Sequence, residues 1–402
     1  MIAPSRLPRY LPVRSRVLVS LALLLAASVI VRGQATSTIP ARLTDHEFWQ
    51  LNAAFSEPNG YFRSDNFLSN ETGFQYVIPE LQRLVKPGGV YLGVGPEQNF
   101  TYIVALQPKI AIIFDIRRGN MIAHLMYKAL IEMSPDRADF LSRLFSRPRP
   151  SGLDTASSAK QLFDAYAAAS PDSALFARNL AAIKERLTKV HGFVMSDSDS
   201  KLLDYTYAAF FGGGPLLSYN YRPSGFPGMQ YGRFRGYGGY GMPTYATLQT
   251  ATDSAGKNWA YLATEANYRW LRDFESRNLV VPVVGDFAGP KAIRAVARYL
   301  KDHKAIVSAF YTSNVEQYLF QQGDEWSRYY HNVATLPIDA TSSFIRSIGG
   351  GYRGGGMPAR AAAQQMALGG RLPSVTSSIQ DLLKAFDDGK IIAYIDVINL
   401  SR

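Results

Sequence analysis

Val90-Tyr91-Leu92-Gly93-Val94-Gly95-Pro96-Glu97-Gln98-Asn99, followed shortly by Ile110-Ala111-Ile112-Ile113-Phe114-Asp115, is the stretch that decides how this sequence folds. The second run is apolar without polar alternation, the pattern of a strand covered on both faces of a parallel sheet. The first is a short buried strand closed by glycines. Residues 98–107 between them read as a helix. So do 119–133, where Ile122, Leu125, Met126 and Leu130 form one stripe. Strands alternating with helices predict an α/β fold with a parallel sheet.

Upstream, Thr44-Asp45-His46-Glu47 has capping-box spacing before a helix at 45–55, and the polar run 64–71 leads into a helical pattern on Val77, Leu81 and Leu84. Lys86-Pro87-Gly88-Gly89 then turns the chain into the first strand. Downstream, 134–278 breaks the rhythm as a helical insertion. Ser134-Pro135-Asp136 and Ser170-Pro171-Asp172 open helices at 135–147 and 171–190, with others expected at 157–168, 199–210 and 258–276. Within the insertion, 212–241 holds ten Gly and five Tyr with Arg222, Arg233 and Arg235, too little to form a core, and reads as a lid or partner-binding loop. Alternation resumes with a strand at 279–284, a helix at 290–302 and a strand at 305–310. A further strand is expected at 333–338, a glycine-rich loop at 349–356, a helix at 376–387 and a β-rich terminal run at 391–400.

In open α/β sheets ligands bind where strands finish and helices begin, so polar strand ends are the candidates for function. Four ends qualify. Gly93-Val94-Gly95-Pro96-Glu97 is a glycine turn that lets backbone approach a ligand and aims a helix N-terminus at it. Asp115 stands twenty residues after Gly95, about the spacing at which an acid meets a ribose hydroxyl pair. Gly285-Asp286-Phe287 and Ser313-Asn314-Val315-Glu316 are the third and fourth.

Taken together, these ends resemble the class I S-adenosylmethionine-dependent methyltransferase fold. In that family the first strand ends in a glycine-rich loop and the second in an acid that holds the ribose. The third ends in an acid near the adenine, and the fourth in polar residues facing the substrate. The resemblance covers about 86–133 and 279–400. It implies a three-layer, Rossmann-like sheet of methyltransferase-like topology with a helical insertion, 391–400 being the final strand. It also implies S-adenosylmethionine as cofactor, Gly93, Gly95, Asp115 and Asp286 as its holders, and Ser313 with Asn314 facing the substrate. Two positions depart from the family: Tyr91 or Gly93 replaces the usual acid on the first strand, and Glu97 replaces a small loop residue. A carboxylate at 97 would oppose the donor's own carboxylate unless an Arg or Lys neutralises it or it carries a proton.

Glu97, Asp115, Asp286 and Glu316 can supply paired carboxylates for acid/base work or a hard cation. Alternatively, the two glutamates cap helices and Asp286 ends a strand by turn chemistry. Asn70 and Glu71, with Asn66, stand before the first strand, placed to fold over a ligand. Arg117 and Arg118 can bind an anion or serve as solvated helix-entry charges. The basic stretch 142–149 can meet a membrane surface, or it is a helix end stabilised by its own cations. His124, on the apolar stripe, reads as packed and hydrogen-bonded. Five histidines with neither HExxH nor a close HxH pair, in a chain without Cys, give no expectation of a metal.

The 402 residues carry a formal charge of +11. The first 35 hold Arg6, Arg9, Arg14 and Arg16, then an uncharged run over 17–31 and Gly33-Gln34-Ala35, the layout of a secretory signal. The chain is therefore expected to be exported, periplasmic or secreted, with an N-terminal membrane anchor as the alternative. Losing 1–35 removes five Arg and no acid from +11 and leaves +6, so a small-molecule ligand is expected and nucleic acid is not. The organisation reads as a signal at 1–35, the first half of the α/β domain at 36–133, the insertion at 134–278 and the second half at 279–402. Because S-adenosylmethionine is a cytoplasmic metabolite, a true methyltransferase would need its N-terminus to be a cytoplasm-facing anchor, and export leaves two further classes of function open. One is an enzyme such as a transferase acting on a polar or nucleoside-like ligand, in which Glu97, Ser313, Asn314 and Glu316 face the reacting group while Gly93, Gly95, Asp115, Asp286, Asn70 and Glu71 hold the ligand. The other is a non-catalytic periplasmic ligand- or partner-binding protein on the same scaffold, lacking nucleophile–base geometry.

Overall fold

The computed structural model describes residues 37–219, 221, 242–348, 362, 365–366 and 373–401. The signal or anchor expected at 1–35, most of the Gly/Tyr-rich segment and the loop expected at 349–356 lie outside the described residues. Six strands form one sheet in the order β3-β2-β1-β4-β5-β6: β1 Val90–Val94, β2 Ile110–Asp115, β3 Val280–Val284, β4 Val307–Ser313, β5 Ser343–Ser347 and β6 Ser374–Ser378. The first five run parallel, and β6 pairs antiparallel with β5. The fold is α/β on a mixed sheet. Every residue of β1, β2 and β3 is buried, which requires cover on both faces and accounts for their lack of polar alternation. Strand order reverses between β1 and β4, the place at which open α/β sheets leave a crevice.

The capping box forms as its spacing predicts. Thr44 Oγ1 accepts from the Glu47 amide at 3.2 Å, and the Glu47 carboxylate accepts from the Thr44 amide at 2.7 Å, opening α1 (Asp45–Phe55). Helices α2 (Ile78–Leu84), α3 (Gln98–Leu106) and α4 (Arg118–Met133) follow. Residues 134–278 then supply α5 (Arg137–Phe145), α6 (Ala159–Ala168), α7 (Ser173–Glu185), α8 (Asp197–Gly213), α9 (Tyr245–Thr250) and α10 (Glu265–Ser276). No strand of the sheet comes from this stretch among the described residues. Both α8 and α10 pack on α4, which itself lies against β3. Among the described residues no helix is long and apolar enough to cross a membrane.

Several boundaries differ from expectation for local reasons. Asp136 and Asp172, and not the preceding serines, cap α5 and α7 by accepting backbone amides at 2.8 Å. The helix expected at 258–276 begins only after Thr264, whose side chain caps it. Residues 258–259 instead bind α9 and the start of the domain, with the Trp259 amide donating to Gln75 at 2.7 Å. The strand expected at 333–338 is the end of α13 (Glu325–Val333) and the irregular chain after it. The terminal run expected to be β is α15 (Tyr394–Asn399), where Asp396 accepts from the amides of Ile392 and Ala393 and overrides the β-branched composition. The antiparallel edge is β6, just before α14 (Ile379–Asp387). In the basic stretch, Arg143 pairs with Asp139 and Arg149 with Asp136, while Arg147 binds the carbonyls of Tyr166 and Ala169. These cations hold the insertion together.

Candidate functional site

The first strand end is fixed from below. Asn99 donates to the carbonyls of Val94 (2.9 Å) and Pro96 (2.7 Å), and its Oδ1 accepts from Tyr91 at 2.8 Å. This staple fills the space beside Gly93, where a Cβ would stand 2.0 Å from Asn99 Oδ1. Gly93 is therefore a packing glycine sealed from ligand. Gly95 is different: its φ of +75° favours glycine, and nothing lies within 4 Å of where a Cβ would be. His124 Nε2 meets the Gly95 carbonyl at 2.8 Å, and burial pushes this imidazole down to about 4, so it stays neutral and acts as a packed donor.

At the second end, Asp115 is fully engaged. Arg117 donates to it from the backbone (2.8 Å), Nε (3.0 Å) and Nη2 (2.9 Å), while Nη1 reaches the carbonyls of Ser64 and Asp65. The pair clamps the polar segment before β1 across the end of β2. A second clamp comes from Glu57. Its carboxylate accepts from the amides of Asp286 (2.8 Å), Lys291 (2.7 Å) and Ala292 (3.0 Å), closing the start of α11 (Ala292–Asp302) where an external anion would otherwise sit. Asp286 takes the Ala288 amide at 2.9 Å. Arg118 turns away to Asp199 at 2.5 Å.

The fourth end carries the densest chemistry. Ser313 closes β4 at φ +52°, left-handed backbone that a serine adopts only under constraint, ahead of the short helix α12 (Val315–Leu319). Its hydroxyl donates to Glu71. The same carboxylate accepts from Tyr311 at 2.8 Å and from Gln98 at 3.2 Å, and Gln98 also binds the Tyr311 hydroxyl. Glu71 is 1 % exposed. Burial pushes its carboxyl above the usual range, opposed by the three donors, a set built to receive the ionised form.

These ends open on one cleft of about 560 Å³. Gly95, Asp115, Asp286, Ser313, Asn314, Asn70 and Glu71 all line it, so seven of the ten expected residues meet there. The other three do not line it. Glu97 is fully buried, both its carboxyl oxygens lack a hydrogen-bond partner among the described residues, and the buried phenols of Tyr127, Tyr245 and Tyr261 lie close enough to feel its charge. Burial raises it to about 8, so it carries a proton at neutral pH. Glu316 pairs with buried Arg346 (3.0 Å to Nη2) and accepts from Tyr330 at 2.9 Å. Neither glutamate faces a reacting group, and neither caps its helix through its side chain. Gly93 lies under the Asn99 staple.

Other lining residues went unread in the sequence. Tyr61, Phe62, Tyr219 and Tyr318 supply aromatic walls, with Arg63 donating to the Tyr318 hydroxyl at 3.2 Å. Glu325 faces the same space, its carboxyl raised by burial and by the charge of Asp286. Tyr311 carried no legible signal: regular alternation would place it with Ser313, but the register shifts between them, and only the fold brings both onto Glu71. Among the described residues no cluster of His, Asp and Glu could hold a metal ion.

No curated protein matches the chain. A family model does, over residues 66–202 and 241–383, segments that contain all six strands and skip the Gly/Tyr-rich stretch. Through that match the chain belongs to the family described as Domain of unknown function (DUF7790).

Proposed function

We propose that this protein binds a polar, nucleoside-like ligand in the cleft, on a Rossmann-like scaffold of methyltransferase-like topology. One observation carries the reading: the C-terminal ends of β1, β2, β3 and β4 converge on a single cavity at the point where strand order reverses. The lining narrows the ligand's charge. Asp286 and Glu325 bring negative charge that outnumbers Arg63; Asn66, Asn70, Gln98 and Asn314 bring amides, and tyrosines bring flat faces. Such walls suit a neutral or cationic molecule with hydroxyls and a ring, and disfavour phosphate. The N-terminal charge and apolar pattern supports an exported, periplasmic or secreted setting.

S-adenosylmethionine held in the family's manner does not fit these residues. The acid that would take its ribose, Asp115, has both oxygens on Arg117, and Gly93 is filled by Asn99. No methyl donor is needed for the proposal. An enzyme, transferase included, is favoured over a passive binding protein because Ser313 and Glu71 stand as a hydroxyl beside a base. The test is calorimetry with adenosine, S-adenosylmethionine and its demethylated product. Heat from adenosine, lost in Asp286→Ala, is the expected outcome; folded protein that takes none of the three overturns the reading.

A further inference from the structure

We propose that Ser313 is a nucleophile, with Glu71 as its base, that takes up the acyl group of a carboxylic ester bound in the cleft. The proposal rests on the reading of the cleft as a ligand site and adds covalent chemistry to it. Three features converge on Ser313. It sits at a strand–turn–helix junction, between β4 and α12, at the C-terminal edge of a parallel sheet, where a left-handed backbone lifts the side chain out of the pleat. It lines the cleft, and its hydroxyl donates to a carboxylate that is otherwise closed to solvent. That carboxylate is itself oriented by Tyr311 and Gln98. Nucleophile, base and orienting group in series form the arrangement by which a serine is activated. A structural carboxylate needs its donors in the interior. Here all three donors line the cavity, and Ser313 is the one that is not buried, on a strained backbone. Asn70 lines the same space, an amide able to donate to an oxygen that gains charge, while Asn314 turns its Oδ1 toward the Ser313 hydroxyl at 3.4 Å.

In the step, Ser313 Oγ attacks the ester carbonyl carbon, forming the Oγ–C bond while its proton passes to Glu71. The C–O bond to the alcohol breaks, and the alcohol leaves with the proton from Glu71. Water or an acceptor hydroxyl then attacks the acyl carbon and gives its proton to Glu71. The Oγ–C bond breaks, the acyl group leaves on the new oxygen, and Ser313 recovers a proton from Glu71. No cofactor is consumed.

The test uses the full chain and a fluorophosphonate probe, which reports the same attack: an O–P bond forms, fluoride leaves, and the adduct is permanent. Intact mass and peptide mapping should find one adduct on Ser313. Ser313→Ala should abolish it, and Glu71→Gln should slow it at least about 100-fold, in line with loss of a general base. Circular dichroism melts establish that each variant is folded. Should Glu71→Gln not fold, the wild-type pH profile decides instead: labelling must rise with pH as the carboxyl ionises. Folded wild-type protein that stays unlabelled, labelling at another residue, or an unchanged rate in Glu71→Gln overturns the proposal. Adenosine binding measured alongside separates its failure from failure of the ligand site itself.

Discussion

Arg117 holds both oxygens of Asp115 and, with its remaining nitrogen, two carbonyls of a segment more than fifty residues earlier in the chain. Both partners are buried. Arg117→Ala strands the carboxylate and should cost about 3–5 kcal/mol in urea unfolding, as for other broken buried pairs. Arg117→Lys keeps the charge but cannot make the fork, so hydrogen exchange at 59–71 should quicken while most stability survives. Equal protection in this variant and the wild type would refute the clamp.

The lining charge predicts discrimination between adenosine and its 5′-monophosphate. Repulsion from Asp286 and Glu325, only partly offset by Arg63, should weaken the phosphorylated ligand by about tenfold, about 1.4 kcal/mol, and added salt should narrow the gap. Calorimetry at two ionic strengths measures both effects. Tighter binding of the phosphate ester would contradict the account.

Glu97 makes stability fall with rising pH. Its folded value of about 8 lies above the unfolded one, so its contribution is fully present below about 4.5 and is lost as pH rises through 8. Glu97→Gln keeps the shape without the proton. It should therefore exceed the wild type at pH 8 by on the order of 1 to 3 kcal/mol and lose that advantage by pH 5. Urea unfolding at the two pH values checks the sign.

His191 behaves as a staple between α1 and α4, with Nδ1 2.8 Å from Asp45 and Nε2 2.7 Å from Glu132. Burial pulls the imidazole down, but Glu132 and Asp45 outweigh it and the net value is raised. Stability from this contact is complete below the unfolded histidine value and declines as pH climbs through the raised one. Burial likewise pushes Glu132 up, yet His191 and Lys128 bring it down to about 2, so its share is held above about 4.5 and lost as pH falls toward 2. In His191→Gln the decline in a melting-temperature profile should shrink to the part that Glu97 causes; a decline as steep as the wild type's would assign it elsewhere.

Glu316 and Arg346 are both buried and join α12 to β5, with Arg346 also reaching Ser377 of β6. Removing either partner alone should cost about 3–5 kcal/mol, whereas Glu316→Leu with Arg346→Met should recover much of it. A double-mutant cycle in urea tests this. Additive losses would mean that the two side chains act independently.

The parts of this fold that the sequence made legible are those whose burial is uniform. β2 is apolar on both faces, and its neighbouring helices carry a plain stripe. By contrast, β5 and β6 read Ser-Phe-Ile-Arg-Ser and Ser-Val-Thr-Ser-Ser, polar strands that are nonetheless buried, with Arg346 and Thr376 met by Glu316 and Glu80 from elsewhere in the chain. Arg346 needs Glu316, and no periodicity announces that. The site was half legible for the same reason. Strand-end acids and glycines were readable, but whether a carboxylate at a helix start turns toward a cleft or into a tyrosine-lined interior depends on packing. Glu97 took the second course, with its proton. Glu71 stood out as a polar residue near the site, while its partners Tyr311 and Ser313 lie 240 and 242 residues away.

That separation ties recognition to the completion of folding. The roof of the cleft is made early in the chain and its floor is finished only when β4 docks beside β1. A nascent or truncated chain that stops short of β4 would leave Glu71 without Tyr311 and Ser313, two of its three donors. Ligand affinity should therefore appear all at once, as a late event of assembly, and it offers a native-state probe that intermediates cannot mimic.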